Sequence, residues 1–356
     1  MTAFLILSFY AVIGGWAVTY ALETLGDGLP RGSDAVEARF DGLLDSPGRM
    51  ATFQAVFLGT VALVVARGVQ RGIETSMKIL MPLLAAPLVT LAAYSMSTGD
   101  AGQALRFLFV PDLDDLTGRG VLDALGLGFF SIGVGLGILL TYAAYSPPAV
   151  ELKGAAVASV VGDTAVSLLA GLAIFPVVFA NDVDPASGPG LAFISLPLAF
   201  DSMPGGRWAA TAFFAMLAIA ALGSAISMLE AVVAVLDRRF GWSRLRGTAV
   251  VSAACFVAGL ATVLSFNRWA DVHPLGSVRR YADATVFDLL DDLTSQLLLP
   301  LGGVALAVFA AWRMSARLLG DELGLRGRPL GGLRFALRFV APGLVVAAAA
   351  ASLLGA

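Results

Sequence analysis

The chain has 356 residues, 58% of them hydrophobic and only 14% charged, against roughly a quarter charged in an ordinary soluble domain. A net charge of −3 sets 23 basic against 26 acidic residues with neither sign in a block, which excludes a nucleic-acid-binding patch. One cysteine and one histidine exclude a disulfide framework, a CxxC redox pair, a cysteine zinc site and HExxH chemistry within one chain.

A hydrocarbon core of about 30 Å needs roughly 20 apolar residues as helix. Runs near that length recur at 3–24, 49–66, 78–97, 123–146, 156–180, 208–236, 247–266, 286–313 and 334–355, with no polar domain between them. They predict an all-α membrane protein of about nine transmembrane helices in a single domain, 1–356. The first run follows Met1 with no basic flank and no convincing cleavage site, so it reads as a spanning helix rather than a signal peptide.

The fourth run holds Gly126, Gly128, Gly133, Gly135 and Gly137 around Phe129-Phe130-Ser131. Each glycine weakens a helix interior by roughly 0.8–1 kcal/mol relative to alanine. Two readings stand side by side: close helix packing through small residues, and an unwound segment facing a site at the bilayer midplane. In the fifth run Asp163 sits within the membrane with Ser167 one turn on, a carboxylate and a hydroxyl able to ligate a small cation. The alternative is an aspartate near a helix end that reaches water. The sixth run carries the stripe Ala220 to Glu230 with Ser224 and Ser227, suited to packing, to back-bonding or to sodium coordination. In the seventh, Cys255 reads as a small packing residue, and His273 lies in the polar loop that follows.

Placing Met1 in the cytoplasm puts Arg67, Arg71, Lys78, Lys153, Arg238, Arg239, Arg244, Arg246, Arg313, Arg317, Arg326, Arg328, Arg334 and Arg338 inside, leaving nine of the 23 basic residues outside. The expected topology is a multi-pass protein of a bacterial-type inner (plasma) membrane, N-terminus cytoplasmic and C-terminus extracytoplasmic.

Several segments in a fixed order resemble the neurotransmitter:sodium symporter family, of the bacterial sodium-dependent amino-acid transporter type. Ser8 to Trp16 is similar to its third helix, Arg71-Gly72-Ile73-Glu74 with Lys78 to Pro82 to the start of its fifth, and Phe129 to Gly137 through Thr141 to Tyr145 to its broken sixth. Gly171 to Pro176 and Gly188 to Pro197 continue the pattern. The resemblance implies a leucine-transporter-type inverted-repeat fold, with the nine runs matching family helices 3 to 11. It also implies that the first two helices have no counterpart in these residues, so that the first repeat is incomplete and this chain alone lacks part of each site.

The implied activity is sodium-coupled symport of an amino acid or related amine by alternating access, with no enzymatic step. By position, Tyr10 meets the substrate carboxylate, Ile6 lines the same pocket, Phe130 is an aromatic lid, Ser131, Gly133 and Leu136 line the unwound segment, and Ser224 and Met228 close the far wall. Two Na+ sites are implied, one at Ser131 and Asp163, the other at Ala220, Gly223 and Ser224, where Gly223 replaces the usual oxygen ligand. Ser131 and Ser167 fall at positions linked to Cl−, while Asp163 offers a fixed negative charge in its place, so chloride use stays open. Asp291 resembles the acid of the outer gate, with Asp237 the nearest acid to the inner one. The implied partners are an amino-acid-like substrate and the lipid bilayer. A non-transporting paralogue acting as a membrane binding or structural subunit is the alternative. Gly162-Asp163 resembles half of an intramembrane aspartyl protease, but no second aspartate motif accompanies it.

Overall fold

The computed structural model describes residues 1–111, 118–147, 150–181 and 190–354. Thr2–Gly26 forms α1, followed by α2 (Ser33–Leu44) and α3 (Pro47–Ala66). A π-helical turn at Val69–Glu74 runs directly into α4 (Thr75–Thr98), and α5 (Ala101–Phe109) is a short amphipathic helix capped by Asp100. Next come α6 (Gly118–Ile132), a tight turn at Val134–Leu136 and α7 (Ile138–Tyr145). α8 (Leu152–Ala180), α9 (Leu196–Asp201), α10 (Gly206–Phe240) and α11 (Arg244–Ser265) follow. The stretch Val286–Arg313 is one long helix in which α12 (Val286–Asp292) and α13 (Leu299–Val308) are separated and followed by π-helical turns. α14 (Ala316–Leu323) leads to α15 (Arg328–Phe335), a further such turn at Ala336–Val340 and α16 (Ala341–Leu354). The motif residues Gly188 and Pro189 lie outside the described residues.

Among the described residues, eight helices are long and apolar enough to cross a membrane, one fewer than the sequence runs. The difference is at 123–146, where α6 and α7 are each too short alone and cross only as a pair. The third span begins at Val69 rather than 78, because the π-helical turn joins it to the loop.

α1 is the axis of the molecule, with 67% of its apolar window buried, and α3, α10 and α11 pack around it. Glycines permit that closeness: a Cβ on Gly15 would lie 2.9 Å from the Gln54 backbone nitrogen of α3. Near the Gly26 end the core is aromatic, with Trp16, Tyr20, Phe40, Phe193 and Phe214 in edge and tilted ring contacts. Near the Thr2 end it is aliphatic, built from Ile6, Leu7, Val61, Ile226 and Leu229. The Gly26 end is fastened by Arg207 of α10, which donates to the carbonyls of Thr24, Leu25 and Gly26, and by Glu23, which pairs with Arg39 and Arg49. Cationic side chains on a helix C-terminus satisfy carbonyls that the helix itself leaves open.

Candidate functional site

The break between α6 and α7 organises the site. Gly133 (φ 71°) and Gly137 (φ 77°) are both left-handed, a conformation costing L-residues roughly 1–2 kcal/mol each, so the helical ladder stops there. Gly135, between them, packs backbone to backbone: a Cβ would lie 2.9 Å from Leu299 Cα, and one on Gly302 would lie 2.6 Å from the Gly135 carbonyl. The two sequence readings thus describe different glycines of one cluster. The outer pair unwinds the chain and the middle one packs it against α13.

Ser131, at the end of α6, donates to Asp163 Oδ1 of α8 at 2.6 Å, with the serine exposed and the aspartate half-buried. This leaves the second carboxylate oxygen and the serine lone pairs available beside the break, hard oxygen donors of the kind small cations select. Among the described residues no group of three or more His, Cys, Asp or Glu stands together. A cation here would rest on one carboxylate, hydroxyls and carbonyls, which does not suit a transition metal.

On the other side of the break, Ile6 and Met228 are buried in one apolar cluster, and Tyr10, Leu136 and Tyr142 pack against it. Tyr10 is half-buried beside Ser224, whose side chain is exposed. Tyr142 and Ser227 share a 2.9 Å hydrogen bond, and Ser227 also donates to the Gly223 carbonyl at 3.1 Å. Ala220 is half-buried one turn before Ser224. Gly223 faces two thioethers instead of an oxygen: its Cβ position lies 3.8 Å from Met81 Cε and 3.9 Å from Met77 Sδ. The residues named for a second cation therefore look toward different neighbours, Ser224 to Tyr10 and Gly223 to α4.

Other sequence-named residues stand apart. Phe130 is 41% exposed and makes no ring contact among the described residues, while its neighbour Phe129 packs over Gly303. Ser167 is exposed one turn beyond Asp163. Asp291 has an exposed side chain, and its carbonyl accepts from Thr294 and Ser295. Asp237 is exposed near the end of α10.

The buried acid of that helix is Glu230, which sequence reasoning placed only as the last residue of a small-residue stripe. Its side chain is 0% exposed and takes a bidentate pair from Arg244 at 2.7 and 3.0 Å, plus the Tyr145 hydroxyl at 2.8 Å. Arg244 also donates to the Val65 carbonyl at 3.1 Å, and Arg238 lies over the Tyr145 ring at 5.5 Å. Tyr145, Arg67, Gln70 and Arg71 line a basic cavity of about 440 Å³ beside this network. A glutamate flanked by Leu229 and Ala231 was the available signal, since an ionised group within a span requires a partner.

Known proteins share this chain's sequence pattern and fold. Residues 36–354 match a sequence model of the sodium:neurotransmitter symporter family. An uncharacterised sodium-dependent transporter of Bacillus subtilis, YhdH, is 35% identical over 321 residues, covering 90% of this chain and 70% of the relative. A second, from Haemophilus influenzae, is 29% identical over 87% of this chain and 68% of the relative. Among solved structures, MhsT in complex with L-phenylalanine superposes with a TM-score of 0.88 at 37% identity, over 98% of this chain and 78% of that one.

Proposed function

The chain belongs to the sodium:neurotransmitter symporter family, and from that premise we propose that it carries an apolar amino acid, or a related amine, inward with sodium across a bacterial-type plasma membrane. Family membership and the inverted-repeat fold make it a multi-pass, sodium-dependent transporter; substrate, stoichiometry and orientation are our reading. The observation that carries it is the Ser131–Asp163 pair at the foot of a broken helix. In this reading residues 1–356 form one transmembrane domain with its N-terminus in the cytoplasm. Ser131 and Asp163 hold one sodium ion, while Ser224 and the Ala220 carbonyl contribute to a second, Gly223 adding no oxygen. Chloride use is open, with Ser131 and Ser167 the residues to test.

The substrate carboxylate meets the Tyr10 hydroxyl, the amino group meets backbone carbonyls at the break around Gly133, and Ile6, Leu136 and Met228 enclose an apolar side chain. That choice is supported by the aliphatic lining and by the L-phenylalanine bound to MhsT. Phe130 swings over the substrate as a lid, Asp291 serves the outer gate, and the Glu230–Arg244–Tyr145 network, rather than Asp237, closes the inner side. Sodium couples to transport by binding one conformation more tightly than the other, since only differential affinity shifts an equilibrium.

The test is uptake of labelled L-phenylalanine into proteoliposomes under an inward sodium gradient, compared with potassium, for the wild type and Asp163→Asn. Uptake is expected only with sodium, and the variant should raise the half-saturating sodium concentration at least tenfold, about 1.4 kcal/mol. Equal uptake with both cations, or an unchanged sodium dependence in the variant, sinks the reading.

A further inference from the structure

The π-helical turns Phe309–Arg313 and Ala336–Val340 face each other where α13 meets the helix pair α15–α16. Widening a helix by one residue leaves backbone groups unmatched, and here the Ala311 carbonyl accepts from both Arg334 Nη2 (3.3 Å) and Arg338 Nη2 (3.2 Å). Two guanidiniums thus converge on one neutral oxygen. Neither has a carboxylate within ion-pair range among the described residues, and the Nε of each is buried without a partner. Each retains all but one of its five N–H donors. Like charges gathered this closely repel, and an anion between them relieves the repulsion; planar guanidinium pairs suit phosphate oxygens in particular.

The surroundings say which kind of phosphate. Arg338 lies over the Trp312 ring at 4.6 Å, and Trp312, Phe335 and Phe339 are 53–60% exposed on an apolar flank, the composition of a membrane interface. From that point an apolar groove of about 270 Å³ runs along Ala307, Ala310, Leu337, Ala341 and Val345. The stripe 337–341–345 is about 12 Å long at 1.5 Å per residue, most of the way through one leaflet of about 15 Å. Phe129 and Val134 close its far end, on either side of Ser131.

We propose that Arg334 and Arg338, with Trp312, bind the headgroup phosphate of an anionic phospholipid whose acyl chain occupies this groove and touches the broken helix. A basic pocket between helices on the positively charged side of the membrane is the chemistry that retains such lipids. The inference is independent of what the protein transports, because it concerns lipid retention and not uptake.

Native mass spectrometry of the purified full chain, released from detergent, tests it with phosphatidylglycerol, phosphatidylcholine of the same chains, and inorganic phosphate. Wild-type protein is expected to retain phosphatidylglycerol at least tenfold over phosphatidylcholine, with phosphate unable to displace it. Arg334→Gln with Arg338→Gln should abolish the preference, whereas Arg326→Gln with Arg328→Gln, equally cationic but exposed at the start of α15 and just before it, should keep it. Leu337→Trp fills the groove with both arginines intact and should also release the lipid. It decides the matter if the double arginine variant fails to fold. Equal retention of the two lipids, an unchanged preference in the double variant or in Leu337→Trp, or displacement by phosphate alone would each overturn the proposal.

Discussion

Replacing Arg244 with alanine removes two hydrogen bonds to Glu230, at 2.7 and 3.0 Å, and one to the Val65 carbonyl at 3.1 Å. The Glu230 carboxylate then keeps only the Tyr145 hydroxyl, in a site with no exposed surface. Stranding one buried charge in this way costs about 3–5 kcal/mol, whereas removing both members of such a pair is often close to neutral. Glu230→Gln is milder, because its amide still accepts from Arg244 and Tyr145 and the arginine is 26% exposed and can rehydrate; about 1–3 kcal/mol is expected. The order of stability should therefore be wild type, close to the double variant Glu230→Met with Arg244→Met, then Glu230→Gln, then Arg244→Ala. Unfolding of purified protein in mixed micelles of increasing SDS fraction measures it. An Arg244→Ala variant within about 0.5 kcal/mol of wild type, or a double variant less stable than Arg244→Ala, refutes the reasoning, since either requires that the charges were not dependent on each other.

Gly259→Ala should be destabilising by roughly 1–3 kcal/mol, because the added Cβ would lie 2.5 Å from the Ser8 carbonyl and press on Gln54, forcing α1, α3 and α11 apart; an unshifted unfolding midpoint contradicts this. Gly133→Ala puts a side chain at φ 71° and should cost about 1–2 kcal/mol, lowering the uptake rate while helical content by circular dichroism stays constant. Gly223→Ser meets nothing nearer than 3.8 Å, so it should fold normally. Because that position faces Met77 and Met81 of α4 rather than Ser224, sodium titrations of the variant should match wild type within about twofold, and a larger change in affinity contradicts this orientation.

Features that depend on local chemistry were readable before the structure. Length and apolarity place the spans, and five glycines around Phe129-Phe130-Ser131 announce a weak helix. What composition does not carry is rotation and return. Whether Phe129 or Phe130 packs inward depends on the azimuth of α6, which is set by Gly303 opposite and by nothing in the motif itself. Glu230 meets Arg244 because Gly241, at φ 65°, ends α10 and the chain turns back into α11; a separation of 14 residues is neither helical spacing nor contact until that turn is known. Arg334 and Arg338 entered the sequence reading as topological charge alone. Their common acceptor exists only because two widened turns, invisible to hydrophobic periodicity, lie face to face.

Two kinds of polarity coexist within the membrane-spanning part, and their difference bears on switching. Glu230, Arg244 and Tyr145 form a mutually satisfied network, so any conformation that separates them must supply several kcal/mol. Ser131 with Asp163 is only half-spent: the second carboxylate oxygen and the serine lone pairs have free capacity, and Ser131 is exposed. On the proposed reading, a cation entering at Ser131 and Asp163 displaces little, and most of its binding energy can go into choosing between conformations. Moving a two-state equilibrium from 1:99 to 99:1 takes about 5.5 kcal/mol of differential affinity. On the proposed reading, that is the scale on which ion binding at the centre has to act to decide the state of the Glu230–Arg244–Tyr145 network, at an end that it does not touch.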